Sequence, residues 1–444
     1  MPLLDGTDDW KFLPPTNRIF IDNQKCDRYS KSNVSLPGGV HIPQRTQPAA
    51  RCTNANYKGV EMSNDPSTDS MTAESTVSLD AMNRPEPSPE LDRLYADYAR
   101  ISTSPLWTQL DDLMPIVPSP KAIPYVWRWH DLLDIARRSG DLVPVGRGGE
   151  RRAIGLANPG LAPTAYATPT LWCAIQYLGP HETAPEHRHA QNAFRFVVEG
   201  EGVWTVVNGD PVAMRRGDLL MTPGWAFHGH HNDTDQPMAW IDGLDVPFVH
   251  DMDFGFFEFG SERVTDEASP SVSRSERLWA HPGLTPLSAQ DSQSSTPIAA
   301  YRWEFTDQAL REQLKLEDEG HPATLEPGHA AIKYTNPTNG GDVLPTMRAE
   351  FHRLRAGAKT AVRHEVGSSV WQVFEGSGAI VLNGDRRELT KGDLFVVPSW
   401  IPWSLEAGTE FDLFRFSDAP IVERLNFQRV YLPESNRYLP GGRG

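Results

Sequence analysis

The 444-residue chain has only three cysteines, Cys26, Cys52 and Cys173, and no Cys-x-x-Cys pair. That excludes a disulfide framework and a thiolate zinc site, and it fits a reducing compartment. Positive charge is also scarce: 42 Lys and Arg stand against 58 Asp and Glu, a net charge of −16. Without a basic field nothing holds a phosphate backbone, so nucleic acid is excluded as a partner. No apolar run approaches the ~18 residues of a transmembrane helix, so no membrane partner is expected. The first residues lack the basic-then-apolar pattern of a signal peptide, and a cytoplasmic location is expected. Turn formers are plentiful: 35 Gly and 38 Pro, about one residue in six. That excludes a helical bundle and predicts many short strands.

Residues 1–89 show no hydrophobic period and turn Ser-, Thr-, Asp- and Pro-rich from Ser63 onward. They read as a disordered or non-native extension, with Met71 or Met82 as alternative starts. Helical spacing appears in Leu91, Leu94, Tyr95 and Tyr98, again in Trp107, Leu110 and Leu113, and over residues 129–138, which predicts a helical arm. After Gly146 the period becomes two. Strands are predicted over 171–178, 194–198, 203–207, 219–222 and 238–244. A linker over 268–298 is followed by a predicted helix over 303–316.

The chain also repeats itself. Glu199-Gly200-Glu201-Gly202, Asn208-Gly209-Asp210, Gly217-Asp218-Leu219 and Pro223-Gly224-Trp225 return in the same order as Glu375-Gly376-Ser377-Gly378, Asn383-Gly384-Asp385, Gly392-Asp393-Leu394 and Pro398-Ser399-Trp400. Asn-Gly between apolar alternations is a strong hairpin signal. Two copies of one small antiparallel barrel account for this pattern.

Seven of the 14 histidines fall between 181 and 250. His187 and His189 lie just before a predicted strand, and in extended chain residues i and i+2 share a face. His228 lies at the turn into a later strand. Together they can present three nitrogens to one metal. A lone histidine is more often a surface or core residue, but the second repeat supplies a control. There Arg363, Glu365 and Trp403 stand opposite His187, His189 and His228, and Trp371 stands opposite Arg195. The barrel signals persist without the histidines, so the histidines serve something other than folding. Three ligands leave three positions open on an octahedral metal. Hydrolysis on a three-histidine zinc stays open as an alternative.

Several motifs carry a resemblance: Asn158-Pro159-Gly160, Thr168-Pro169-Thr170-Leu171-Trp172, His187-Arg188-His189, Arg195 in its strand, Trp225, and His228-Gly229-His230-His231. In these the chain resembles the cupin superfamily, and within it the bicupin ring-cleaving dioxygenases that act on gentisate, salicylates and 1-hydroxy-2-naphthoate. The resemblance spans about residues 90–444. One cupin feature is missing: a glutamate ligand four or five residues after the His-x-His pair, where this chain has Ala193 and Phe194.

The resemblance implies a mainly β bicupin, two antiparallel double-stranded β-helix (jelly-roll) barrels with an N-terminal helical arm. The arm would span 90–150, the catalytic barrel 151–267, a linker with a helix 268–325, and a metal-free second barrel 326–444. It implies one Fe(II) per subunit, held by His187, His189 and His228. The substrate would be a small aromatic carboxylic acid, with O2 as co-substrate. Arg195 would pair with the carboxylate and Arg151 would be a second arginine beside it. Trp172, Ala174 and Gln176 would line the pocket. His230 and Asp242 would form a pair acting on a ring hydroxyl. Ala174 is small, as in gentisate-type members, which favours gentisate, opened between its carboxyl- and hydroxyl-bearing carbons to maleylpyruvate. Salicylate, substituted-salicylate or 1-hydroxy-2-naphthoate cleavage is the alternative. From another class, a non-catalytic or O2-independent metal-binding cupin is a further alternative. A homotetramer is expected.

Overall fold

Two-residue periodicity becomes antiparallel sheet in the computed structural model, which describes residues 78, 84–145, 152–260, 271–281, 283–289 and 291–439, all within the unit Asp69–Gly444. Arg151 and nearly all of the 1–89 extension lie outside the described residues. Helix α1 (Pro89–Arg100), capped by Ser88, precedes strand β1 (Tyr125–Trp127) and helix α2 (Trp129–Leu142). The helix expected around Trp107 is interrupted. A 3-10 turn, Leu106–Thr108, and a single helical turn, Leu110–Leu113, are separated by Gln109 at φ −142°.

The first repeat supplies β2 (Ala153–Gly155), β3 (Trp172–Leu178), β4 (Thr183–His189), β5 (Ala193–Glu199), β6 (Glu201–Val207), β7 (Asp210–Arg215), β8 (Leu219–Thr222), β9 (His228–Asn232), β10 (Met238–Leu244), helix α3 (Val246–Asp251) and β11 (Phe257–Phe259). Next come β12 (Ala300–Tyr301) and helix α4 (Trp303–Asp318). The second repeat supplies β13 (His329–Lys333), β14 (Arg348–Leu354), β15 (His364–Glu365), β16 (Ser369–Glu375), β17 (Ser377–Leu382), β18 (Asp385–Thr390), β19 (Leu394–Val397), β20 (Trp403–Ala407), β21 (Phe411–Ser417) and helix α5 (Ala419–Arg424). The linker holds a short helix, Arg274–Leu278, started by a Ser273/Glu276 capping box. Among the described residues no helix is long and apolar enough to cross a membrane.

The first barrel closes from a six-stranded sheet, β12-β8-β5-β10-β3-β2, and a five-stranded one, β11-β4-β9-β6-β7. The second repeats the larger sheet as β1-β19-β16-β21-β14-β13 and opposes it with β18-β17-β20. The architecture is therefore a mainly antiparallel bicupin. Both Asn-Gly turns adopt the doubly left-handed geometry a tight hairpin needs, with φ of 48° and 74° at Asn208-Gly209 and 51° and 80° at Asn383-Gly384.

The two six-stranded sheets lie back to back, so their strands are buried on both faces and read as almost unbroken apolar runs. On β5, Phe194, Phe196 and Val198 face the other barrel, whereas Val197 packs inside its own. Phe196 stacks on Phe414 at 4.1 Å and Phe194 meets Phe416 edge-on at 4.9 Å. Polar latches flank this aromatic seam. Thr170 donates to Asp418, and its counterpart Thr346 donates to Asp245, each at 2.5 Å.

The arms are exchanged. Strand β1, which leads into the first barrel, pairs with β19 of the second; β12, which leads into the second, pairs with β8 of the first. The helices that follow dock in the same crossed sense. Asp393 accepts from Arg128 and from the Trp129 backbone at 2.6 and 3.1 Å, and Asp218 accepts from Arg302 and the Trp303 backbone at 2.6 and 3.0 Å. Gly217 and Gly392 are left-handed, and a Cβ on either would run into Trp303 or Trp129.

Candidate metal centre

His187 and His189 lie inside β4 rather than before a strand. Pro185 and Glu186 sit where the β4–β9 register slips, between Ala184 and His187. A proline there donates no ladder bond, which hid the strand from a reading by composition. The bulge leaves His187 directly opposite His228, the first residue of β9. The three rings converge, with centroids 4.4 Å apart for His187–His228, 4.9 Å for His189–His228 and 5.7 Å for His187–His189. One ring nitrogen from each lies within 4.8 Å of the other two. Among the described residues no other group of His, Cys, Asp or Glu meets that condition.

Local backbone sets the tautomers. Nδ1 of His187 lies 3.1 Å from the Pro185 carbonyl, that of His189 2.9 Å from Gln191, and that of His228 2.9 Å from Ala226. A carbonyl can only accept, so each Nδ1 carries the proton and each lone pair sits on Nε2. Burial, with Arg195 next in effect and the two other histidines adding to it, holds His228 well below the usual imidazole range. It stays neutral, the state a metal requires. Three imidazoles and no carboxylate fit a divalent first-row metal that keeps open positions.

A buried ion pair faces this trio from the larger sheet. Arg195 on β5 and Asp242 on β10 are directly opposite in register, 4% and 5% exposed. Their Nε–Oδ1 distance is 3.5 Å, and Arg195 Nε makes no hydrogen bond, so the attraction is coulombic. Burial pushes Asp242 up to about 6, against the pull of Arg195 and of the Trp240 indole N–H at 3.0 Å. The expected pairing of Asp242 with His230 is not formed: no hydrogen bond between them occurs among the described residues. A guanidinium across the ladder outcompetes a neutral imidazole for a carboxylate. His230 packs against Trp240, 5.2 Å between centroids, with Nδ1 buried and unpartnered. Burial, then Arg195 and His187, hold it well below its usual range.

On β3, Ala174 sits between Asp242 and Gly155 in register, and Gln176 sits opposite Trp240. Gly155 makes room for Trp172, whose Nε1 would be 3.1 Å from a Cβ at that position. Arg151 lies outside the described residues. His231 and His250 stand apart from the trio: His231 pairs with Thr183 and Asp233, and His250 with Tyr166 and Asp251. One residue escaped sequence reasoning. Thr222, 1% exposed, accepts a hydrogen bond from Arg195 NH1. The repeat held the clue, because Val397 takes the place of Thr222 where Trp371 takes that of Arg195.

The second barrel keeps the frame and loses the site. Arg363 bridges Trp403 as His187 bridges His228, and Trp371 faces Arg415 as Arg195 faces Asp242.

Barrel, histidine trio and buried arginine together define a cupin with a candidate metal centre. A family model described as a cupin domain matches residues 174–246. A gentisate 1,2-dioxygenase of Streptomyces is 62% identical over 77% of this chain and 95% of its own length. A 5-aminosalicylate 1,2-dioxygenase of Comamonas is 34% identical over 78% of this chain and 92% of its own. The crystal structure of salicylate 1,2-dioxygenase from Pseudoaminobacter salicylatoxidans, an adduct with gentisate, is 70% identical and covers 80% of this chain and 96% of that one, with a TM-score of 0.78. The chain belongs to the gentisate 1,2-dioxygenase family of bicupin ring-cleaving dioxygenases. It is an oxidoreductase that incorporates oxygen, and the non-catalytic alternative falls.

Proposed function

We propose that this enzyme opens gentisate (2,5-dihydroxybenzoate) between its carboxyl-bearing carbon and the adjacent hydroxyl-bearing carbon, consuming O2 and releasing maleylpyruvate. The observation that carries the reading is the trio of imidazoles, each tied by Nδ1 to a backbone carbonyl, in the same barrel as the buried Arg195. His187, His189 and His228 would hold Fe(II), which when bound supplies a centre where an ortho-hydroxy carboxylate and O2 meet.

The protein's own groups do the rest. Arg195 binds the substrate carboxylate, its guanidinium held by Thr222 and faced by Asp242. His230, held neutral by burial and by Arg195, accepts a hydrogen bond from a ring hydroxyl. Asp242 steadies Arg195. Trp172, Ala174 and Gln176 form the wall, and Arg151 is a second arginine at the carboxylate. The functional division is an arm over 90–150, a catalytic barrel over 151–267, a linker over 268–325 and a metal-free barrel over 326–444. The assembly is a cytoplasmic homotetramer.

The deciding experiment is O2 uptake by protein loaded anaerobically with Fe(II). One O2 per gentisate and the near-UV absorbance of maleylpyruvate are expected. No uptake with gentisate, salicylate or 1-hydroxy-2-naphthoate overturns the reading. A second reading, salicylate 1,2-dioxygenase, is favoured by the 70% identity to that enzyme. Salicylate lacks the 5-hydroxyl, so turnover of salicylate at a rate matching gentisate selects it. Thr222→Val tests the arginine's support. Losing one hydrogen bond to a charged group removes roughly 1.5 kcal/mol, so KM for gentisate is expected to rise about tenfold with kcat nearly unchanged. Thr222→Ser should restore it.

A further inference from the structure

Between the two histidines of β4 stands Arg188, which neither the trio nor the barrel core accounts for. Alternation along a strand sends His187 and His189 to one face and Arg188 to the other, so its side chain points away from the trio. Three side chains meet it there. Glu258, its cross-strand partner on β11, accepts from Nε at 2.9 Å and from NH2 at 2.5 Å. The rings of Trp225 and Phe227 lie 4.3 and 4.4 Å from its guanidinium carbon. A planar guanidinium can offer its faces to rings and its edge to a carboxylate at once, which an ammonium cannot. Arg188 therefore joins β4 to β11 and to the 223–227 turn.

Those are the segments whose alignment makes the trio. His187 and His189 ride on β4, and His228 follows Phe227 directly. Backbone pairing supports this end of the ladder weakly: beyond the bulge, His187–His228 is the one β4–β9 pair in register among the described residues. The Trp225 N–H donates to the His189 carbonyl at 2.7 Å, from a left-handed backbone, φ 66°, that a bulky residue rarely adopts. The Ala226 carbonyl of the same turn holds Nδ1 of His228. Strand β11 lays Phe257 against the His187 ring, 5.5 Å between centroids and 21° from parallel. One side chain on the outer face thus bears on the supports of all three histidines.

The second barrel builds the same corner differently. Trp400 repeats the left-handed Trp225, φ 65°, and its N–H donates to the Glu365 carbonyl at 2.7 Å. His364 takes the place of Arg188, with Tyr431 opposite it in register. It lies 5.5 Å from the Trp400 ring and 5.7 Å from that of Tyr431, with Nδ1 2.9 Å from the Trp400 carbonyl. A short ring suffices where no trio has to be aligned, and the charged fork occurs where one has. We propose that Arg188 is a positioning residue of the dioxygenase: by clipping β4, β11 and the Trp225 turn together, it holds the three imidazoles at the spacing a metal requires. The proposal rests on the reading of the trio as a metal centre. Order already present in the fold need not be created on binding, so the clip acts on metal affinity.

Co(II) titration of the full-length protein tests this, because the visible d–d bands report ligand geometry and the titration reports affinity without turnover. Arg188→Met keeps a long apolar stem between the rings and removes the fork. It should weaken Co(II) binding about tenfold, the scale on which groups that orient metal ligands act, and alter the d–d bands. In the Fe(II)-loaded protein, kcat for gentisate should fall more than KM rises. Arg188→Lys should recover part of the affinity, and Glu258→Gln, which leaves the rings in place, should lose about threefold. Arg216→Met is the matched control. Arg216 lies over Phe374 at 3.9 Å and pairs with Glu375 at 2.9 Å, the same chemistry at the seam between the barrels. Its loss should lower the melting temperature and leave Co(II) affinity and spectrum as in the wild type. Should Arg188→Met fail to fold, Glu258→Gln carries the test. Unchanged affinity and spectrum in the folded Arg188 and Glu258 variants overturn the proposal, as do equal changes in Arg216→Met. A wild type that takes up no Co(II) overturns the metal-centre reading as well, whereas one that binds it as the variants do leaves that reading standing.

Discussion

His228→Ala is expected to lose metal and activity together. The imidazole is 1% exposed, and its Nδ1 is tied to the Ala226 carbonyl. Its removal leaves two nitrogens where three converged, too few to hold a divalent ion firmly while keeping positions open for substrate. A metal centre that supplies several kcal/mol of stabilisation makes the loss more than about 10³-fold in kcat/KM. The barrel itself should survive. Strand β9 holds its neighbours β4 and β6 through backbone pairing, and the second barrel tolerates Trp403 at the matching place. His231→Ala, on the same strand but bonded to Thr183 and Asp233, serves as the control and should keep its metal. Metal content by elemental analysis, beside O2 uptake, decides the matter. A His228→Ala protein that retains one metal per chain overturns the ligand set.

Arg195→Ala is expected to separate substrate binding from metal binding. A guanidinium–carboxylate contact in a buried site contributes roughly 3 kcal/mol, so kcat/KM for gentisate should fall about 10²-fold, mostly through KM, with metal content unchanged. The variant also exposes a competition within the protein. Burial pushes Asp242 up, and Arg195 opposes it, the balance leaving the carboxyl at about 6. An acid whose folded-state value lies above its unfolded value, ~3.9, is stabilising when protonated, and that advantage is lost as pH rises between the two. In the wild type the loss falls between about pH 4 and pH 6. Without Arg195 the window extends upward, and near neutrality the carboxyl takes up a proton rather than remain a bare buried charge. The further destabilisation at pH 7 from this group is then limited to roughly 1.4 kcal/mol, the cost of holding that proton from about 6, where the wild type already stands, to pH 7. Melting temperature against pH should show the variant losing least at acid pH. A flat profile would mean that Asp242 has another partner. Arg195→Lys keeps the charge without the fork and should recover only part of the KM.

Much of this was legible in the residues, for physical reasons. Asn-Gly turns and period-two runs located β5, β6, β8 and β10 closely, because backbone sterics and pleat geometry act locally. The histidine trio was legible because the second repeat showed the same scaffold without it. What escaped was non-local or masked by proline. Pro185 and Pro211 disguised β4 and β7, whose strands depend on pairing with neighbours rather than on their own composition. Thr222 has no motif, since its role exists only once β8 lies beside β5. The Asp242 partner turned on register, which sets Arg195 rather than His230 across the ladder. Nothing in the order of residues 125–142 and 300–318 announced that each arm would cross to the other barrel.

That crossing gives the chain the logic of an arm-swapped dimer fused end to end. Neither half owns a complete sheet edge. The half with the histidines takes its outermost strand, and the arginine that meets Asp218, from the segment that introduces the other half. Substitutions that loosened the second barrel would therefore unseat that segment and bare an edge of the first. The second barrel is tied to its neighbour by that incompleteness: its interior can change without touching the first barrel, but its seam cannot.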